Sequence, residues 1–482
     1  MQQQPDNRRI AVLPLANMSS DAKDEIFSDG MTEELISALS KIAGLRVIAR
    51  TFVMRYKDSK KPIGEIGKEL NVSAILEGSV RKAGDKIRIT VQLADPETEE
   101  QMWSERYDRD LADIFAIQSE IAQKVADELE VQIGKGEKLN LGKKATDSKE
   151  AYTLYLEGRH FLNTRTEESL KKAIERFEKA LEKDPRYALA YTGVADSYAV
   201  LALLEFLSPK EAFPKARTAA EKALEIDNSL AEAHTSLAVV KFQYDWDWEG
   251  AEKEFKRAIE LNPSYAPAHQ FHSDLLKSQG LFDEALSEMS HASALDPLSL
   301  STSTGVGHVL YLSRQYDRAI DQYRSTLKLD PKFLQARLWI GRPYLQKRMY
   351  KEAIAELHDA VTLSTESTVS LAMLGHAEAS AGNRDAARKI LEKLIERSKH
   401  QYVPSYWIAL IDVGLGDKDQ AFTWLERAFH ERSSWLAWVG VEPRFDTLRS
   451  DPRFASLMAK MKLKPQKDAG LGIRGWLKGP SK

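Results

Sequence analysis

Two kinds of apolar periodicity divide the chain. Between residues 9 and 133 the pattern changes from one short run to the next. RRIAVLPL is a continuous apolar run suited to a buried strand, and LRVIAR reads as a second strand. SAILEGSV and KIRITVQLAD alternate or run apolar with β-branched residues, with KAGD between them as a hairpin turn, and QMWSERYDR adds a further strand. Helical spacing is expected from about Lys23 to Ile42, over PIGEIGKEL, and over DIFAIQSEIAQKVADELEVQI, where Ile114, Ile117, Ile121, Val125 and Leu129 lie on one stripe. The pattern predicts a small α/β domain with a mixed sheet over 9–133. The polar, Gly/Lys-rich stretch 134–148 reads as a linker.

From residue 149 onward the period lengthens to that of whole helix pairs. Pro263, Pro297 and Pro331 are 34 residues apart, each after Asn or Asp, which is the tetratricopeptide (TPR) period. A small residue recurs ahead of each proline (Ala251, Ala285, Ala319), and a bulky one follows it (Phe255, Met289, Tyr323). Two antiparallel helices pack closely only where one carries a small residue at the crossing. The proline cannot continue a helix and sets the turn to the next repeat. The same spacing continues to Gly416, Ala421, Leu425 and Ala428. The expected fold is therefore α+β multidomain: the α/β domain, then an all-α superhelix of about eight helix pairs over 149–430. Capping helices over 431–463 and a flexible tail over 464–482 complete it. The inter-helix turn of the first pair reads as longer than standard, and LLEFLSPKEAFP reads as an insertion in the second. The concave groove is expected to be lined mainly by the first helix of each pair.

The stretch IFSDGMTEELISAL, residues 26–39, places an Asp-Gly pair ahead of three polar residues. Phe27, Met31, Leu35 and Leu39 run four apart across Gly30. That favours one helix, in which Gly30 allows close approach of a neighbouring strand at roughly 1 kcal/mol of helix propensity. A break with Asp29 as a cap is the second reading. A ligand or partner site involving Asp29, with Arg50 and Glu77 from strand ends, is the third.

Composition narrows the chemistry. The 482 residues are 43% hydrophobic and 29% charged, with a formal net charge of −3. This is a globular composition with no basic footprint for nucleic acid. The absence of cysteine removes disulfides, thiol nucleophiles and thiolate metal sites. MQQQPDNRRI has no apolar stretch after its charges, and no run is long enough to span a bilayer, so a cytoplasmic location is expected. GKGEKLNLGKK has five residues rather than four between Gly136 and Gly142 and lacks a following Ser or Thr, so it is not a phosphate loop. His269 and His272 form an H-x-x-H on a helix, with no third metal ligand evident. Trp246 and Trp248 are expected to pack the turn of the third pair. No catalytic motif set appears. The expectation is no enzyme, no cofactor and no metal.

Taken together, IAVLPLANMSSD, DGMTEELISAL, LRVIART, IGKELNVSAILEGSVRKAGDKIRITVQLAD and WSERYDRDLADIFAIQSEIA resemble the bacterial TolB-like amino-terminal domain. AYTLYLEGR, YDWDWEGAEKEFKRAIELNP, LDPLSL and PRFDTLRSDPRF resemble the TPR array that commonly follows it. In that family the module hangs from an adenylate cyclase, a serine/threonine kinase or a winged-helix regulator, and many members carry a membrane span before it. No effector precedes Arg9 here, so none of those activities carries over. The resemblance implies a regulatory, protein-binding half of a signalling system. Its partner would be a protein or peptide in the groove, with an effector protein or a second copy as further classes. The alternative is a small-ligand sensor working through the α/β domain. Carboxylate-gripping TPR domains use Lys and Asn one turn apart on inner helices. The corresponding pairs here (Tyr155/Arg159, Thr192/Asp196, Gln270/Asp274, Thr304/His308 and Leu338/Arg342) lack that combination. The expected groove contacts are Arg159, His308, Tyr311, Arg342 and His376.

Overall fold

The computed structural model describes residues 8–21, 24–42, 44–134, 143–296 and 299–463. Pro297, most of the linker and the 464–482 tail lie outside the described residues.

The N-terminal domain is built on a sheet of order β3-β1-β4-β5-β6, with β1 (Arg9–Val12), β2 (Ala16–Asn17), β3 (Arg46–Val47), β4 (Ala74–Ala83), β5 (Lys86–Ala94) and β6 (Gln101–Asp110). β1 runs parallel to both β3 and β4, whereas β4, β5 and β6 form an antiparallel meander. Helices α1 (Glu25–Ser40), α2 (Arg50–Val53), α3 (Ile63–Leu70) and α4 (Ile114–Glu128) complete it. The strand expected over LRVIAR is shorter than the pattern implied, because the chain turns into α2 at Arg50.

α1 runs unbroken through Asp29 and Gly30. A Cβ on Gly30 would meet Leu156 Cδ2 at 2.9 Å. The close approach expected against a strand is thus made to the first helix of the repeat array.

Eight helix pairs follow among the described residues, from Lys149–Thr164 to Lys418–Glu431. The register holds: Ala251, Ala285, Ala319, Phe255, Met289 and Tyr323 are all 0% exposed. The first pair is joined by a short turn, and its extra residues lengthen the helices to 16 and 17 residues. This corrects the expectation of a long turn. In the third pair the inner helix ends in a π-helical turn, Lys241–Asp245.

One side-chain arrangement recurs along the array. Near the start of an inner helix, a basic residue bonds back to the carbonyl of the preceding turn and across to a glutamate on the outer helix. In the third pair His234 faces Asn228 O at 3.2 Å and Glu254 at 2.6 Å. In the fourth His269 faces Pro263 O at 2.9 Å and Glu288 at 2.6 Å. In the sixth Arg337 faces Pro331 O at 2.9 Å and Glu356 at 2.8 Å. Each closes the otherwise open end of its pair by satisfying a turn carbonyl and a half-buried carboxylate together.

The apolar interior falls mainly into two clusters. One joins the N-terminal domain to the first two pairs; the other joins the later pairs to residues 436–463. The α/β domain is therefore packed on the array as a continuous core. Phe27 and Phe115 meet Tyr152 with ring centroids 6.4 and 5.0 Å apart. Ala49 N donates to Leu295 O at 3.0 Å, and Asn262 Nδ2 to Ser40 Oγ at 3.1 Å.

Candidate functional site

The inner helices present His308, Tyr311, Arg342 and His376 to the axis of the superhelix. These four expected groove residues are brought together, but the groove over them is not open. After the eighth pair the chain turns inward through two 3-10 segments, Ser434–Trp438 and Pro443–Leu448, and a helix, Pro452–Lys460. This segment lies across the inner surface, and His308, Tyr311, Arg342 and His376 are left 2%, 0%, 0% and 5% exposed.

The contacts are aromatic and ionic. The Tyr311 hydroxyl donates to Glu442. Glu442 and Arg444 form a buried bidentate pair at 2.9 and 2.8 Å. Burial alone would raise the Glu442 carboxyl; the Arg444 guanidinium outweighs it and holds the group at about 2. Arg342 lies between Trp339 and Trp435, 5.0 and 5.6 Å from their ring centroids, and reaches His308 Nε2 at 3.3 Å. Its Nε and Nη2 find no hydrogen-bond acceptor among the described residues. A sealed guanidinium with unmet donors is costly. Burial, then the charges of Lys277, Arg342 and Arg444, push the His308 imidazole well below its ordinary range. Burial and Arg444 hold His376 at about 4, with its Nδ1 at 2.8 Å from Leu410 O. Both histidines are neutral at pH 7 and act as hydrogen-bonding and stacking groups.

Trp438 Nε1 donates to Asp274 O at 3.2 Å, and Trp248 Nε1 to Met461 O at 2.9 Å. Trp246 stacks on Phe429 at 5.2 Å beneath Arg432. The two tryptophans expected to pack the turn of the third pair pack it in part, with the Trp248 ring 5.9 Å from Phe242, and they also hold the end of the array.

Arg159 is not part of this cluster. Its Nε donates to Glu33 at 2.8 Å, Arg50 approaches the other oxygen of Glu33 at 3.1 Å, and Asn163 bonds it at 3.1 Å. Burial opposes ionisation of Glu33, yet Arg159 and Arg50 leave its carboxyl below the usual range. These residues form the dock between α1 and the first inner helix.

Asp29, Arg50 and Glu77 do not converge on one point. Arg50 belongs to the dock. Asp29 is held by Lys57 at 2.7 Å. Glu77 accepts from Gln92 and lines a cavity of about 410 Å³, to which Lys57, Tyr56, Pro14 and Gly78 also contribute. The cavity lies beyond the carboxyl end of β1, from which the chain leaves to β3 on one side, while the neighbouring β4 leaves to β5 on the other. That is the switch point at which open α/β sheets form crevices.

The residues that cover the inner surface, Trp435, Trp438, Glu442 and Arg444, and their distant partner Glu205, were not anticipated as a group. The signal available was the aromatic spacing in SSWLAW and the run VEPRFDTLRSDPRF, which marks an end segment but not where it folds.

Comparison with known proteins fits this architecture. Residues 6–124 match the family model described as HilA/YgeH-like transcriptional regulator, second domain. Residues 307–367 and 369–401 match tetratricopeptide repeat models. "Putative adenylate cyclase 3" of Rhizobium meliloti (strain 1021) is 36% identical over 242 residues, covering 49% of this chain and 40% of that protein. Transcriptional regulator HilA of Salmonella typhimurium is 27% identical over 144 residues, 30% of this chain and 26% of its own length. The chain thus spans less than half the length of these curated relatives. Among solved structures, a tetratricopeptide repeat protein from Parabacteroides merdae is 13% identical with TM-score 0.41, covering 57% of this chain and 99% of that one. The human IFIT1 dimer is 16% identical with TM-score 0.44, covering 66% and 89%. The 34-residue register and two repeat models agree: the chain carries tetratricopeptide repeats behind a mixed-sheet domain similar to the second domain of HilA/YgeH-like regulators.

Proposed function

We propose that this chain is a non-enzymatic interaction scaffold, the regulatory half of a signalling system, whose inner TPR surface grips a protein or peptide segment. One observation carries the reading. Residues 434–446 lie on the inner helices as a bound peptide would, anchored by two tryptophans and a buried carboxylate. His308, Tyr311, Arg342 and His376 are the gripping residues, and Arg159 fixes the N-terminal domain to the array. A protein or peptide partner uses the same surface by competing with residues 434–446. An effector protein and a second copy of the chain are the partner classes considered. The TolB-like motifs support a regulatory role, as do relatives named as an adenylate cyclase and a transcriptional regulator.

The covering segment is held firmly. Leu436, Val439, Phe445, Leu448 and Met461 are 0% exposed. Exposing them costs on the order of 10 kcal/mol, an upper bound from area bookkeeping. A partner must offset much of this, so the native chain captures partners weakly unless the segment is loosened. The test is cross-linked capture from native lysate on the full chain, comparing the native protein with Trp435→Ala and Glu442→Gln. The expected result is one protein enriched by both variants. Equal capture by all three forms, or none by any, counts against the reading. No helix among the described residues is long and apolar enough to cross a membrane, and the assay is set in the cytoplasmic fraction, the compartment proposed.

A second reading is favoured by the crevice at the β1–β4 switch point. Here the N-terminal domain senses a small polar ligand through Glu77 and Lys57 and acts on an effector on a separate chain. Thermal-shift screening of the full chain against small polar metabolites supports it if one compound stabilises the native protein but not Glu77→Ala. A flat response across the panel counts against it.

A further inference from the structure

The fourth helix pair differs from its neighbours. Its inner helix, Ala266–Ser278, and outer helix, Phe282–Leu295, carry the same basic-to-glutamate closure as the third and sixth pairs. To it are added two further imidazoles. His272 lies one turn beyond His269, is held by Glu252 at 2.9 Å, and faces the second oxygen of Glu288 at 3.5 Å. His291 lies one turn beyond Glu288, on the same face of the outer helix. In the third pair the residue one turn beyond the glutamate is Arg257, and in the sixth it is Asp359. The metal-binding potential of H-x-x-H was weighed from sequence on His269 and His272, with no third ligand in sight. The structure pairs His269 with donors from the facing helix instead.

We propose that His269, Glu288 and His291 form a binding site for a divalent transition-metal cation, with zinc as the fitting chemistry. A ligand atom from each of the three lies within 4.8 Å of the others. Two histidines and a glutamate from two facing helices are a recognised donor set for zinc, with a fourth position left for water. His291 is solvent-exposed, so that position has access from bulk. Both rings are already oriented as ligands would be. His269 Nε2 is held by the Pro263 carbonyl at 2.9 Å, and His291 Nδ1 by the Ser287 carbonyl at 3.1 Å. A backbone carbonyl on one ring nitrogen orients the imidazole and leaves the other nitrogen for a metal. On binding, the cation takes the place of the hydrogen bond between His269 Nδ1 and Glu288.

The site occupies one of the repeats that touch the N-terminal domain, since Leu295, at the end of the same outer helix, accepts from Ala49 N at 3.0 Å. A cation joining the two helices stiffens the surface on which that domain rests.

The experiment is titration of the full, metal-free chain with zinc by calorimetry, repeated with cobalt(II) for its visible spectrum. The variants are His291→Ala and, as a control, His400→Ala. His291 is exposed, and its hydrogen bond runs to Ser287 O of its own helix, so its loss is expected to leave the fold intact, which circular dichroism checks. His400 faces Glu396 at 3.6 Å and represents an ordinary two-donor surface pair. The expected result is one zinc per chain, an affinity lowered about tenfold or more in His291→Ala, and no change in His400→Ala. Equal binding by the native chain and His291→Ala, a matching loss in His400→Ala, or no saturable binding overturns the proposal.

Discussion

Trp407, on the inner helix of the eighth pair, donates its indole N–H to the carboxylate of Glu205, just past the inner helix of the second, at 2.5 Å. Trp435 donates to the same oxygen at 2.9 Å. The superhelix therefore closes on itself: one carboxylate gathers the second pair, the eighth and the covering segment. Burial pushes the Glu205 carboxyl up to about 7 against the pull of the two indoles. A carboxyl raised on folding binds more protons in the native state than in the unfolded one, so its ionisation removes stability as pH rises from its ordinary value of 4.5 through about 7. Glu205→Gln keeps the acceptor oxygen and removes the charge. It is expected to stabilise the protein by about 1 kcal/mol at pH 8 and to leave it unchanged near pH 4.5. Urea midpoints at both pH values check this; an equal change at both contradicts it.

The dock between the N-terminal domain and the array depends on Glu33. Its removal leaves the guanidinium groups of Arg159 and Arg50 facing one another without their shared carboxylate. Glu33→Gln is expected to cost about 2–3 kcal/mol, below the value for a fully buried pair because these side chains keep some exposure. Limited proteolysis is expected to speed up within 134–148. Unchanged cleavage there means that the dock does not depend on Glu33.

Gly30 is where α1 and the first inner helix come closest, and Leu156 supplies the facing side chain. Gly30→Val forces these helices apart and is expected to cost about 1–3 kcal/mol. Leu156→Ala made together with it should recover part of that loss, since the two sites share one space. Strictly additive losses in a double-mutant cycle contradict the contact.

Ala285 sits fully buried at the crossing of the fourth pair. Ala285→Leu is expected to lower stability by about 1–3 kcal/mol through overpacking. An unchanged denaturation midpoint contradicts the register.

What the sequence disclosed follows from the range of each interaction. The helix pairs were legible because small, bulky and proline positions repeat within one pair, and each pair contacts mainly its neighbours. The unbroken helix through Gly30 was legible from its apolar spacing, but the partner of Gly30 was not, because Leu156 lies in another domain. His308, Tyr311, Arg342 and His376 could be placed on the inner surface from their register alone. Their cover could not, since Tyr311 and Glu442 are 131 residues apart and no local pattern links them. The same holds for Glu205 and Trp407, and for the contacts of Trp246 with Phe429 and of Trp248 with Met461. His291 was missed because the helix that supplies it faces His269 across a turn.

The most direct measurement of the central claim is binding of a labelled synthetic peptide, residues 433–446, to the full chain. It is made on the native protein and on Trp435→Ala/Trp438→Ala, whose own segment is loosened, with circular dichroism confirming that the variant stays folded. The account predicts saturable binding to the loosened chain, weak or no binding to the native one, and loss of binding when the peptide carries Glu442→Ala. Equal binding to both chains, or none to a folded loosened chain, would show that the inner surface does not grip a segment in the manner proposed.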